Sequence, residues 1–453
     1  MKHRKLSMRN ILLGSVSFGV MVVMLFVSLI PDSGAADSSS SQPKGHLVIV
    51  GGALSPDNKE VYEAFLTSAE ENRDKTRNSL RIGIMPTASS TPIESASSYK
   101  NDFLSYGVQE ENVEIIPIAL HDDPSTKEDE SKWKDNATKK AVSSTIHSYD
   151  AIWFVGGNQL NYTSTLRTND QEDTRALSAI RDIHRNGATL GGSSAGAAIM
   201  SSSMIGAGSS LGALSDGVSY KDTYGNAEDN RVFITDGIGF LEKGLVDQHF
   251  LERGRFGRLL VGALETGVEE AYGVDEDTAM VVDYGSRTIE VKGTSGVSIF
   301  DLRHATASKD FPLAMRNVRV SYLETGDTYH YDENTYDIHE KKSYITSPYY
   351  PASSTHTDIF ASNALQTALT YDLVDSDSKE VTGIGFNLTS DKRGKGFSVT
   401  FTETEETKGY WGKINGEESY AAINVRMDVT PMRVKMKLKP VKEKQLDPVS
   451  TRK

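Results

Sequence analysis

Thr189-Leu190-Gly191-Gly192-Ser193-Ser194-Ala195-Gly196-Ala197-Ala198-Ile199-Met200 leads from a short apolar run into an alanine-rich stretch through a serine flanked by glycines. Its centre, Gly192 to Gly196, fits G-x-S-x-G, the sharp strand-to-helix turn that exposes a serine hydroxyl above a sheet. Glycine is needed two positions before and two after the serine, because a Cβ there would collide with the neighbouring strand and helix. The next amide, that of Ala195, falls at a helix start, where unpaired N–H groups and the helix dipole can stabilise an oxyanion. On five residues alone, a plain glycine-rich turn with a buried serine is the competing reading.

The stretches around this turn decide in favour of a sheet. His46 to Val50 is an apolar run ending in Gly51-Gly52, and Leu80 to Met85, Val113 to Ile118 and Ala151 to Val155 are further runs of strand type. Helix-length segments separate them. Ser55-Pro56 is expected to cap a helix bearing Val61, Ala64, Phe65 and Ala69, and Ala176, Leu177, Ile180 and Ile183 mark another, closed by Gly187. Short apolar strands alternating with helices over Gly45 to about Val282 predict an α/β fold, a parallel sheet covered on both faces. Ligands of such sheets sit beyond the carboxyl ends of the strands. Gly156-Gly157-Asn158-Gln159 also ends an apolar strand and opens a helix, so the Gly157 amide is the candidate for a second oxyanion donor.

Beyond about Met280 the pattern turns to strands and turns. Ile414-Asn415-Gly416-Glu417 predicts a hairpin, and Val381 to Leu388 and Phe397 to Phe401 predict strands. Arg433, Lys435, Lys437 and Lys439 alternate with Val434, Met436 and Leu438, as in an edge strand with a basic outer face.

The 453 residues include no cysteine, which removes disulfides, thiolate metal sites and every cysteine-nucleophile mechanism. No cofactor or metal is expected. A net charge of −13 argues against nucleic acid as a partner. An oxygen nucleophile needs a base, and ten histidines are available. His249, in Val246-Asp247-Gln248-His249-Phe250, precedes Arg253, Arg255 and Arg258, which reads as a substrate-facing loop. The alternative is a solvated helix face that pairs with acids.

At the amino terminus Lys2, Arg4, Lys5 and Arg9 precede an apolar stretch from Ile11 to Ile30, and Ser33-Gly34-Ala35-Ala36 supplies small residues for cleavage. Residues 1–36 read as an export signal and 37–44 as a linker, placing the folded part in the extracellular space. An uncleaved membrane anchor facing outside is the alternative.

Taken in order, Gly156 to Gln159, Gly191 to Ala198, Gly237-Ile238-Gly239-Phe240-Leu241, Asp247 to Leu259 and Gly273-Val274-Asp275-Glu276-Asp277-Thr278-Ala279 resemble the cyanophycinase-type serine peptidases. The resemblance covers about residues 45 to 330. It implies a flavodoxin-like sheet related to the class I glutamine amidotransferases. It also implies an exopeptidase that cuts cyanophycin, polyaspartate with arginine on each β-carboxyl, into β-Asp-Arg dipeptides. Carried over by residue, Ser194 is the nucleophile and His249 the base, while Gln159, Asp247, Gln248, Arg253, Arg255 and Arg258 hold the substrate. The family order places the acid between serine and histidine, which makes Glu228 the expected third member, with Asp229 and Asp222 as alternatives. A homodimer is a further implication. The expected domains are 45–340 for the peptidase and 341–453 for a β-rich region of unassigned role. The rival readings are an α-aspartyl dipeptidase on the same fold, an α/β-hydrolase esterase, and an inactive polymer- or wall-binding protein using the basic strand.

Overall fold

The computed structural model describes residues 45–437, apart from 224, 227, 228, 353, 354 and 389–392. The export signal, the linker, Glu228, Leu438 and Lys439 therefore lie outside the described residues. Five strands, β1 (Leu47–Val50), β2 (Ile82–Met85), β3 (Val113–Ile115), β4 (Ala151–Phe154) and β5 (Thr189–Ser193), run parallel in the order β1-β5-β4-β2-β3. Beyond β1 the sheet continues antiparallel through Thr278–Asp283, Thr288–Gly293, Thr328–His330 and Thr335–Asp337.

Side-chain alternation explains why these strands read as unbroken apolar runs. Leu47 and Ile49 of β1 join one buried cluster with Ile152 and Phe154 of β4, while Val48 and Val50 join the cluster on the other face with Ala151 and Trp153. Both faces are covered, so both alternating sets must be apolar. Trp153 is fully buried, with the rings of Phe65 at 5.1 Å and Phe103 at 5.8 Å, and truncating it would cost about 3–5 kcal/mol. The first helix, Lys59–Arg73, supplies Phe65 and is capped by Asn58, whose side chain accepts from the amide of Val61. Ser55, the expected cap, instead donates its hydroxyl to Asp57 and its amide N–H to Asp277.

A second sheet contains the parallel pair Leu245–Asp247 and Glu270–Val274, followed by antiparallel Gly296–Asp301, Met315–Glu324 and Glu417–Lys435. The β-rich residues after 340 are thus woven into the sheet that carries residues 245–274. The hairpin forms as expected, with Asn415 and Gly416 both at positive φ between Lys408–Ile414 and Glu417–Lys435. Arg433, Lys435 and Lys437 are exposed and alternate with half-buried Val434 and Met436.

Candidate active site

Four loops at the carboxyl ends of the parallel strands meet at one place. Ser194 follows β5 with φ 56° and ψ −105°, a strained conformation for a residue with a side chain, and the helix Ala195–Ala198 begins directly after it. Its amide donates to the carbonyl of Val50 at the end of β1. The flanking glycines are there for space: a Cβ on Gly196 would lie 2.3 Å from the carbonyl oxygen of Phe154. Gly157, after β4, lines the same cavity as Ser194, and Asn158 donates its amide to Ala88 after β2.

The histidine comes from the second sheet. Leu245–Asp247 and Glu270–Val274 run side by side with Asp247 opposite Gly273, so the residues just beyond both strands emerge together. His249 takes φ 45°, donates its amide to the Gly51 carbonyl, and brings Nε2 to 2.9 Å from Ser194 Oγ. Its ring lies against Gly52 (φ 122°), where a Cβ would sit 2.2 Å from Cε1. Nδ1 is 2.5 Å from Oε1 of Glu276. A carboxylate only accepts, so Nδ1 carries the proton and Nε2 is left to accept from the serine hydroxyl.

Among the described residues the carboxylate at the ring is Glu276, not an acid lying between the serine and the histidine. Glu276 follows the histidine by 27 residues instead of preceding it. Of the acids expected between serine and histidine, Asp229 is held by Arg231 through contacts of 2.9 and 2.6 Å, Asp222 is exposed, and Glu228 lies outside the described residues. The signal was present in Gly273 to Ala279, one of the stretches that carry the family resemblance, but the expected chain order pointed elsewhere.

Gln159, Gln248, Arg253, Arg255 and Arg258 line a cavity of about 610 Å³ together with Ser194 and His249, whereas Asp247 is buried and not part of the lining, and the five are not equivalent. Arg258 is buried and grips Asp247 with two bonds, Nε to Oδ2 at 2.7 Å and Nη2 to Oδ1 at 2.6 Å. Arg255 donates to the Gln248 carbonyl and, at 2.9 Å, to its side-chain oxygen. Gln159 is buried and donates Nε2 to the carbonyls of Ile205 and Gly206. Arg253 is exposed and makes no hydrogen bond or ion pair among the described residues, so its guanidinium is the one of the three arginines left for a ligand.

Electrostatics follow from this crowding. Burial pulls the His249 imidazole below its ordinary pKa and the positive charges of Arg253 and Arg255 add to that, while Glu276 pulls the other way. Burial, with Arg258 nearby, brings Arg255 down to about 9. Behind Glu276 the fully buried Asp275 has its pKa raised by burial, and it accepts bonds from Ser295 Oγ at 2.8 Å and from the amides of Gly296 and Leu251. Glu252, likewise raised by burial, accepts the amide N–H of Glu276. The late β-rich segment also touches this loop: Asn363 donates its amide to Leu251, Phe360 stacks on Phe256, and Gly254 has space for no Cβ beside the Phe360 carbonyl.

A strained serine against a histidine whose far nitrogen meets a carboxylate, above a parallel sheet, is the apparatus of a serine-type hydrolase. The sequence profile described as Peptidase family S51 matches residues 81–289. A cyanophycinase of Geminocystis herdmanii is 30% identical over 257 residues, 55% of this chain and 81% of that one. Cyanophycinases of a Nostoc species (27% over 302 residues, 64% of this chain and 87% of that one) and of Synechococcus elongatus (29% over 257 residues, 55% and 69%) are also similar. The crystal structure of a peptidase from an acI-B1 Actinobacterium aligns over 64% of this chain and 97% of that one, at 18% identity and a TM-score of 0.43. The chain belongs to peptidase family S51 and is a cyanophycinase-type serine peptidase.

Proposed function

We propose that this protein is an exported exopeptidase that hydrolyses cyanophycin to β-Asp-Arg dipeptides. The observation that carries the reading is the 2.9 Å contact between Ser194 Oγ and His249 Nε2 in a cavity where Arg253 has no hydrogen bond or ion pair among the described residues. Cyanophycinase relatives support the substrate class.

In this mechanism His249 Nε2 takes the Ser194 proton as Oγ bonds to the scissile carbonyl carbon. The carbonyl electrons move to oxygen, where the amides of Ala195 and Gly157 receive the charge. Collapse of the intermediate breaks the C–N bond, and the leaving amine takes the proton from Nε2. Water, deprotonated by the same nitrogen, then releases the acyl group and restores the serine. Glu276 holds the ring and stabilises the imidazolium. Arg253 binds a substrate carboxylate, while the Asp247–Arg258 and Gln248–Arg255 pairs fix the wall and its positive field.

Export is supported by the basic start, the apolar stretch and Ala35-Ala36. Mass spectrometry of culture supernatant should find a new terminus between Ala36 and Gly45; intact residues 1–30 in membranes would indicate an anchor.

The substrate test is incubation with insoluble cyanophycin and analysis of the products. β-Asp-Arg dipeptides are expected from the wild type. Inertness toward the polymer, with cleavage of short aspartyl dipeptides, would identify the aspartyl dipeptidase instead.

A further inference from the structure

A second cavity, about 540 Å³, opens in the β-rich region between Lys342–Tyr344, the segment that follows it, and Lys408–Ile414. Its walls are aromatic: Tyr344, Tyr349, Tyr350, Trp411 and Tyr420. Large rings of this kind are usually covered, but Tyr349 is 82%, Tyr344 54% and Trp411 38% exposed. The rings are held in place by their own framework. Strand pairing sets Trp411 opposite Tyr420, and a chain of contacts runs from Tyr349 to Tyr350 (5.0 Å), Tyr371 (5.5 Å) and Tyr420 (5.0 Å).

Two carboxylates lie among these rings. Asp375 is already used, accepting from the Tyr349 amide and the Tyr420 hydroxyl, each at 2.9 Å. Glu418 is exposed, shares a strand face with Tyr420, and its side chain makes no hydrogen bond or ion pair among the described residues, even with Lys413 across the hairpin. No lysine, arginine or histidine is among the described residues lining the cavity. Burial, with the Glu418 charge next in weight, raises the phenols of Tyr350 and Tyr371, so these rings stay neutral. The cleft therefore offers π faces together with a carboxylate that makes no ion pair among the described residues. A guanidinium satisfies both, because it is planar, weakly hydrated, stacks on aromatic faces and donates in a fork to a carboxylate. An ammonium is more strongly hydrated and stacks less well. A glycan would use the rings and leave the charge unmatched.

We propose that Trp411, Tyr350 and Glu418, backed by the buried Tyr420, form a second binding site for the guanidinium side chains of an arginine-bearing polymer. This rests on the cyanophycin reading, since that polymer displays a guanidinium on every residue. The site would tether the enzyme to the insoluble substrate while a chain end is cut at Ser194, so that rebinding becomes intramolecular.

The test uses the mature full-length chain carrying Ser194→Ala, so that nothing is turned over, and calorimetric titration with a tetra-arginine peptide. Trp411→Ala and Glu418→Gln, each added to that background, should weaken binding about 10-fold or more, and tetra-lysine should bind about 10-fold more weakly than tetra-arginine. Glu418→Gln is nearly isosteric and exposed, so it gives the answer even if Trp411→Ala fails to fold. Equal tetra-arginine binding by parent and Glu418→Gln would overturn the proposal. So would tighter binding of tetra-N-acetylglucosamine than of tetra-arginine, which would make the cleft a glycan site. The peptide has no aspartate backbone, so the outcomes separate. Wild type inert on cyanophycin, with the guanidinium site intact, would remove the substrate reading alone, and the reverse would remove the site alone.

Discussion

Oε1 of Glu276 lies 2.5 Å from Nδ1 of His249, and the two residues reach that contact from neighbouring parallel strands, with Asp247 opposite Gly273. Each residue sits just past the end of its strand. The geometry is therefore set by sheet register, not by separation along the chain. Glu276→Gln should lower kcat on the order of 10³- to 10⁴-fold, because the ring loses its tautomer and its charge partner. Asp229→Asn and Glu228→Gln should each cost far less. Steady-state kinetics of the three variants check this, and a larger loss at Asp229 or Glu228 would reassign the acid.

Gly52 is the floor under the imidazole. A methyl there would meet Cε1 of His249 at 2.2 Å, and φ 122° is itself unfavourable for alanine. Gly52→Ala should push the ring off Ser194 and cut kcat/KM by at least about 100-fold, as for a misplaced catalytic group. Labelling of Ser194 by a fluorophosphonate should fall in parallel. Normal labelling would mean that the ring has room to adjust.

The field of Arg253 should appear in two measurements. His249 must be neutral to act as the base, and its pKa is held below the ordinary 6.5 by burial and the neighbouring arginines. The acidic limb of kcat/KM should therefore lie below pH 6.5, with activity lost as pH falls through it. Arg253→Ala removes one positive neighbour, so the limb should move up in pH. The same change should slow cyanophycin turnover about 10- to 100-fold, with a smaller loss on a neutral activated ester. An unmoved limb together with equal losses on both substrates would exclude Arg253 from carboxylate recognition.

Local chemistry was legible in the sequence where it decided the structure. The glycines around Ser194, the apolar runs of β1 and β4 and the Asn415-Gly416 turn each carry their own geometric requirement, and each formed as expected. What escaped depended on register between distant segments. Glu276 reaches His249 only because two strands pair. Arg258 is committed to Asp247, 11 residues away, by a buried pairing that makes it part of the wall. Asn58 in place of Ser55 at the first helix is a smaller case: both residue types can cap, but the Ser55 hydroxyl is taken by Asp57 and its amide by Asp277 from far along the chain.

The proposed reaction, in which Ser194 worked by His249 and Glu276 opens cyanophycin, is tested by mass-spectrometric analysis of the soluble products of cyanophycin treated with wild type or with Ser194→Ala, after matched circular dichroism spectra establish that both are folded. β-Asp-Arg is expected from the wild type, with a loss on the order of 10⁶ in kcat for the variant. Dipeptide release by Ser194→Ala within tenfold of wild type would contradict it.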